Sequence, residues 1–219
     1  MERVEQLRLL KGLINHLDHN TNINAGGIIK TPADTYISEE RFDREWNTFF
    51  LNHPQIIGLS GDLPKPNSFV TTEDFGVPIL AVRDDTGEFK AYANVCPHRG
   101  VTIESSKKGE KSKFSCPFHG WTFNNEGNLI GYPKKEQFGE IDKDCYGLKE
   151  LPAIEKFGFL WVHPKREGII DLDELLGKEL QAEFDAWNFQ SLVFANEDLY
   201  FTDMNWKLAI DTFGETYHF

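Results

Sequence analysis

Two short clusters constrain this chain more than any other feature: Cys96-Pro97-His98-Arg99-Gly100 and Cys116-Pro117-Phe118-His119-Gly120-Trp121. Together they read Cys-x-His, seventeen residues, then Cys-x-x-His. Two soft thiolates and two imidazoles at this spacing are four metal ligands on two loops, one sulfur and one nitrogen from each. Any fold for this chain must bring those two loop tips together.

Paired Cys and His residues raise zinc first. Structural zinc sites usually pair Cys with Cys and His with His, whereas each pair here mixes the two types. One residue between Cys96 and His98 is tight for two side chains converging on one tetrahedral ion. It is comfortable if the two bind different irons of a [2Fe–2S] core, one iron taking both thiolates and the other both imidazoles, which is the Rieske arrangement. Two ferric ions and two sulfides sum to +2; two thiolates bring the total to 0, where four would give −2. The less negative cluster accepts an electron more readily, at roughly −150 to +300 mV. Gly100 and Gly120 permit positive φ after each His, and Pro97 and Pro117 stiffen the loops. Trp121 and Phe118 are placed to keep water from the sulfurs.

The 219 residues suffice for one large domain, or one domain with part of a second. Net charge is −12, from 23 basic and 35 acidic residues, which argues against nucleic acid or an anionic membrane as partner. No apolar run approaches the ~18 residues of a membrane span. The N-terminus has acidic residues where a signal peptide would be basic and then apolar, so a cytoplasmic location is expected. Cys145 is the third cysteine, a thiol with no assigned role.

Val4, Leu7, Leu10, Leu13, Ile14 and Leu17 predict a first helix within residues 1–20. Ser38 is the expected N-cap of a second, with Phe42, Trp46, Phe49 and Phe50 on one stripe and Pro54 at its end. From Ile56 to about Pro164 the pattern turns to short strands: Val77–Val82, Phe89–Val95, Trp121–Phe123, Asn128–Ile130 and Phe157–Val162, with turns at 84–87 and 124–127. A third helix is expected within 165–190 and a strand near Ser191–Ala195. Asn205–Phe219 reads as a helix with Asp211, Glu215 and His218 on one face, a pattern that a solvated polar face also produces.

The motifs CPHRG and CPFHGWTF, followed by the turn Asn124-Asn125-Glu126-Gly127, resemble those of the large (alpha) subunits of Rieske non-haem iron, ring-hydroxylating oxygenases. The Rieske subunits of respiratory complexes carry extra disulfide cysteines in these loops, and this chain has no spare pair there. NWKLAIDTFGETYH is similar to the segment opening the catalytic domain of the same family, with Thr212 where those proteins often carry Asn. The resemblance implies that His218 is the first His ligand of a mononuclear Fe(II) in a two-His, one-carboxylate triad. It further implies that Glu215 bridges, between subunits, to the Rieske ligand His119. The sequence ends one residue after His218, so a shortened chain without a complete oxygenase iron site is expected. His16, His19, His53 and His163 fall outside both motifs.

The expectation is an α+β chain with an N-terminal helical arm at 1–55. A mainly antiparallel β Rieske domain, a small barrel or sandwich with cluster-binding loops, follows at 56–165, and the beginning of an α+β catalytic domain at 166–219. Expected cofactors are a [2Fe–2S] cluster on Cys96, His98, Cys116 and His119 and, in the intact enzyme, non-haem Fe(II). The resemblance implies a ferredoxin or flavin reductase as electron donor and a homotrimer. It also implies hydroxylation or demethylation of a small organic substrate, aromatic ones included, with O₂. A stand-alone Rieske ferredoxin-type carrier is the alternative function, and a zinc-bound structural module the third. Residues 166–219 lack sheet partners and are expected to expose Trp187, Phe189, Phe194 and Phe201.

Overall fold

The computed structural model describes residues 2–22, 27–139 and 141–214. It falls into two compact units, residues 42–201 and a second made of 1–41 with 202–219.

In the larger unit three antiparallel sheets stack as layers. The middle sheet orders β5-β2-β3-β4-β9, with β2 Ser68–Thr72, β3 Ile79–Arg83, β4 Phe89–Ala93, β5 Lys108–Glu110 and β9 Glu150–Leu151. One outer sheet is β6 Lys113–Ser115, β7 Thr122–Asn124 and β8 Leu129–Gly131. The other is β1 Gln55–Leu59, β11 Phe159–Val162 and β10 Ala153–Lys156, in the order β1-β11-β10.

Period-two alternation explains the layering. On β3, Leu80 and Val82 join Phe114, Phe123 and Leu129 in one core, while Ile79 and Ala81 join Leu160 and Val162 in a second. A strand buried on both faces therefore divides two hydrophobic layers. On β11 the same alternation sends Phe159 and Trp161 to the opposite face, where they meet Leu172 and, more peripherally, Leu176 and Phe184 of the helix Leu172–Trp187. Among the described residues the sheets stay open, so of barrel and sandwich it is the sandwich that forms.

The local signals that formed these elements are explicit. Asp171 caps the helix Leu172–Trp187, its Oδ1 accepting from the N–H groups of Asp173 and Glu174. That cap starts the helix later than the 165 boundary, and Gly177 breaks it internally with φ 62° and ψ 172°. Phe157 and Gly158 are not part of the strand expected there; both have positive φ and form the two-residue turn joining β10 to β11. The strand expected near Ser191–Ala195 is absent: Phe189–Ser191 is a short 3₁₀ turn, and the chain beyond it joins no ladder. Lys108 Nζ stands 3.1 Å from the Phe194 ring centroid, a contact that holds this segment by its side chain. Trp187, Phe194 and Phe201 are exposed as expected, whereas Phe189 is drawn partly under cover against Phe159.

In the smaller unit the first helix spans Arg3–His19 without a buried residue. A short helix, Asp34–Ile37, leads to Ser38, whose Oγ accepts the Arg41 N–H as the expected cap. The helix Glu39–Glu45 is followed by a π turn, Trp46–Phe50; within the larger unit the Phe42 ring stacks on Trp46, and the Phe50 ring lies tilted against Trp46. Near the other end of the chain, the Asn205 Oδ1 accepts the Lys207 N–H at the start of the helix Trp206–Gly214. Tyr36 Oη donates to Asp211 Oδ2 at 2.6 Å. No described helix is long and apolar enough to cross a membrane.

The turn between β3 and β4 makes a pH-dependent contribution to stability. Asp84 is buried, and burial opposes its ionisation. The Thr86 hydroxyl, Lys90 at 3.0 Å and the N–H groups of Glu88 and Thr86 outweigh that and hold its carboxyl down to about 2. A depressed carboxylate contributes stability that is complete above the unfolded value, near 3.8, and is lost as pH falls through that value towards 2. Asp84→Asn is expected to cost about 2 kcal/mol at pH 7 and little at pH 2, measured by urea unfolding at both pH values.

Candidate functional site

Each cluster loop closes the first core layer at one edge. Cys96 and Cys116 are buried members of that layer, so the two sulfurs form its floor. The two loops share one backbone device. The Gly100 N–H donates to the Cys96 carbonyl and the Gly120 N–H to the Cys116 carbonyl, at 2.8 and 2.9 Å. The Cys96 N–H donates to the Val101 carbonyl and the Cys116 N–H to the Trp121 carbonyl, both at 2.8 Å. Gly100 and Gly120 take φ +74° and +69°, the left-handed turn that closes each loop and that a Cβ would strain.

Both loops are thus Cys-Pro-x-x-Gly turns of equal length. The spacing Cys-x-His against Cys-x-x-His is a difference of position within one turn: His98 takes the third residue and His119 the fourth. The pattern Cys-Pro-x-x-Gly, present twice, was the signal in the sequence for this equivalence.

The imidazoles form the rim above the sulfurs. Their centroids lie 4.8 Å apart with the rings tilted 64°. His119 is exposed, and His98 is partly covered by Trp121, whose buried indole stacks on it at 4.9 Å and 4°. Phe118 stays exposed beside His119, 3.9 Å between centroids, so its ring faces solvent at the rim rather than sheltering the floor. Tyr132, Phe138 and Tyr146 pack around Trp121 at 5.5–5.9 Å. The two imidazoles stand side by side and the two thiols are neighbours, so the four side chains group as a nitrogen pair and a sulfur pair.

The electrostatics of the loops suit those pairs. Burial pushes the Cys96 thiol up, and the neighbouring Cys116 adds to it, while the N–H groups of His98 and Arg99 oppose the rise by favouring the thiolate. Burial, then the charges of His119 and Arg99, lowers His98 and favours the neutral imidazole, which is the ligating form. Burial against an apolar core is costly for a free thiol's ionisation and is offset when a metal takes the charge. Two soft sulfurs on a dry floor and two imidazoles on an accessible rim fit a [2Fe–2S] core divided between them.

Elsewhere, His16 bonds Thr21 and His19 the Asn15 carbonyl, and both stand on the exposed first helix. His163 is buried, its Nδ1 accepting the Lys165 N–H. Cys145 is exposed, with its thiol 3.4 Å from Asp142 Oδ2. Glu215 and His218 lie outside the described residues.

Residues 53–153 match the family model of the Rieske [2Fe-2S] domain. The chain is 30% identical over 200 residues to the alpha subunit of toluate 1,2-dioxygenase from Pseudomonas putida, covering 88% of this chain and 44% of that protein. It is 28% identical over 187 residues to the carnitine monooxygenase oxygenase subunit of Acinetobacter baumannii, covering 85% of this chain and 50% of that protein. A crystal structure of a quaternary ammonium Rieske monooxygenase superposes with TM-score 0.76 at 27% identity, over 86% of this chain and 53% of that one. Naphthalene 1,2-dioxygenase with indole bound superposes with TM-score 0.59 at 32% identity, over 65% and 32% of the two chains.

The chain carries a Rieske [2Fe-2S] domain. It is a relative of the large subunits of Rieske dioxygenases and monooxygenases, and it spans about half the length of these curated relatives.

Proposed function

We propose that Cys96 and Cys116 bind one iron of a [2Fe–2S] cluster and that His98 and His119 bind the other. The chain is then the electron-accepting N-terminal portion of an oxygenase large subunit. The observation that carries this is the pair of equivalent Cys-Pro-x-x-Gly turns, with both sulfurs buried beneath two adjacent imidazoles. A [2Fe–2S] cluster held by these four residues would supply one-electron chemistry at a potential raised by imidazole ligation. The chain's own residues exclude water from the sulfurs through the first core layer and hold His98 flat on Trp121. They leave His119 at the rim, within reach of another protein surface.

The intact enzyme hydroxylates or demethylates a small organic substrate with O₂, a reading supported by the likeness to both a toluate dioxygenase and a carnitine monooxygenase. A ferredoxin or flavin reductase supplies the electrons. A head-to-tail homotrimer sets Glu215 of the partner subunit against His119, and His218 is the first ligand of the mononuclear iron. The sequence likeness of the NWKLAIDTFGETYH segment supports these roles.

The mixed ligand set is tested by redox titration. The wild-type midpoint is expected between roughly −150 and +300 mV. The double variant His98→Cys/His119→Cys is expected to fall by several hundred mV, towards the roughly −400 mV of a four-thiolate cluster. An unchanged midpoint in the double variant contradicts the assignment.

A further inference from the structure

The first cluster loop is closed at its base by a side chain instead of a ladder. Asn94 is buried; its Oδ1 accepts the Glu104 N–H at 3.0 Å and its Nδ2 donates to the Glu104 carbonyl at 2.7 Å. One amide thus imitates a two-bond rung of an antiparallel sheet, spanning the loop that holds Cys96 and His98. The Val95–Thr102 bridge lies just inside it. At the second loop the position two before the cysteine is Phe114, an ordinary ladder rung opposite Phe123, and the Ser115–Thr122 rung corresponds to the Val95–Thr102 bridge.

Glu104 carries the connection onward. Its carboxylate is buried, with Oε1 accepting the Ser106 N–H at 2.8 Å and Oε2 in close contact with Lys111 Nζ. Lys111 sits in the turn between β5 and β6, where its own N–H is fixed on the Asn67 carbonyl at 2.8 Å. Two residues later β6 begins, and it runs directly into Cys116. An unbroken path, Asn94 to Glu104 to Lys111 to β6, therefore joins the root of one cluster loop to the strand that delivers the other.

We infer that Asn94, Glu104 and Lys111 form a positioning clamp that sets the separation of the two cluster-bearing loops, and so controls how firmly the cluster is held. None of the three is a ligand; each acts through the loop roots. This rests on the proposed assignment of Cys96, His98, Cys116 and His119 as ligands. A buried carboxylate whose partner cation is removed is costly where it stands, so losing either partner of the pair loosens the same joint.

The experiment compares holoprotein with Glu104→Gln, Lys111→Gln, Lys111→Arg and Asn94→Ser. It follows loss of visible absorption to an iron chelator, the thermal midpoint by circular dichroism, and the midpoint potential. Outer-shell partners of metal sites typically matter by 10–100-fold. Glu104→Gln, Lys111→Gln and Asn94→Ser are each expected to lose the cluster about 10-fold faster. Lys111→Arg is expected to restore wild-type retention. The two charge variants are expected to shift the potential in opposite directions while weakening retention in the same direction.

Retention that follows the sign of the removed charge overturns the clamp in favour of a charge effect. Retention equal to wild type overturns it outright. Faster loss that merely tracks a lowered thermal midpoint, without rescue by Lys111→Arg, reduces it to general destabilisation and overturns it too. Wild-type protein without iron and sulfide brings down the ligand assignment, and the clamp with it; that outcome is visible before any variant is made.

Discussion

Cys116→Ser is expected to leave the chain folded and without a cluster. Cys116 sits on the buried floor of the site, and its backbone N–H is held by the Trp121 carbonyl, a bond that serine keeps. A serine hydroxyl stays protonated where a thiol becomes a thiolate under the pull of a metal, and it is a harder donor than iron–sulfur chemistry favours. Cluster content is expected to fall at least 100-fold, beyond the range of outer-shell changes, read as visible absorption and acid-labile sulfide. The structural cost is separate and smaller. A hydroxyl buried among Leu80, Trp121 and Phe123 without a partner costs about 1–3 kcal/mol. Cys145→Ser, at an exposed thiol outside the loops, is the control and is expected to change neither quantity. A Cys116→Ser protein that still binds iron and sulfide in wild-type amount removes that sulfur from the site.

Trp121→Ala is expected to be the most destabilising single change near the site, by about 3–5 kcal/mol. The indole is buried, and Tyr132, Phe138 and Tyr146 surround it. Its removal also takes away the flat surface on which His98 lies. Two consequences separate in experiment. The unfolding free energy of the apoprotein, from urea titration, reports the cavity. The midpoint potential and cluster retention of the holoprotein report the orientation of His98. Trp121→Phe refills part of the space and is expected to recover most of the stability and less of the retention. Trp187→Ala removes an indole that is 69% exposed and is expected to stay within about 0.5 kcal/mol of wild type.

The site was legible in the sequence because its chemistry is local. Four ligands of two types at fixed offsets, in two loops that each end in glycine, carry their geometry with them. The equal length of the two turns was also written there, in the repeated Cys-Pro-x-x-Gly, but hidden by reading from Cys to His instead of from Cys to Gly. The strands β3, β4, β7 and β11 were legible because alternation and turn residues agree. The layering was not: β3 reads as a simple apolar run, and only the structure shows that its odd and even residues belong to different cores.

The clamp was unreadable for a related reason. Asn94, Glu104 and Lys111 are 10 and 7 residues apart, and no short-range pattern links an asparagine at a strand end to a lysine in a later turn. The failed strand at Ser191–Ala195 shows the reverse limit. Its residues have the composition of a strand, but strand formation depends on an available edge, and the ladders end elsewhere. The start of the third helix moved for a local reason that composition blurred, since Asp171 supplies the cap that residues 165–170 lack.

The central claim is that two Cys-Pro-x-x-Gly loops hold a [2Fe–2S] cluster with mixed ligands. The most direct test is metal and acid-labile sulfide analysis of the purified 219-residue chain, combined with an EPR spectrum after reduction. Iron and sulfide in equal amounts, with a paramagnetic signal that appears on reduction and is lost in Cys116→Ser, is the expected result. Zinc without sulfide, and no signal on reduction, contradicts it.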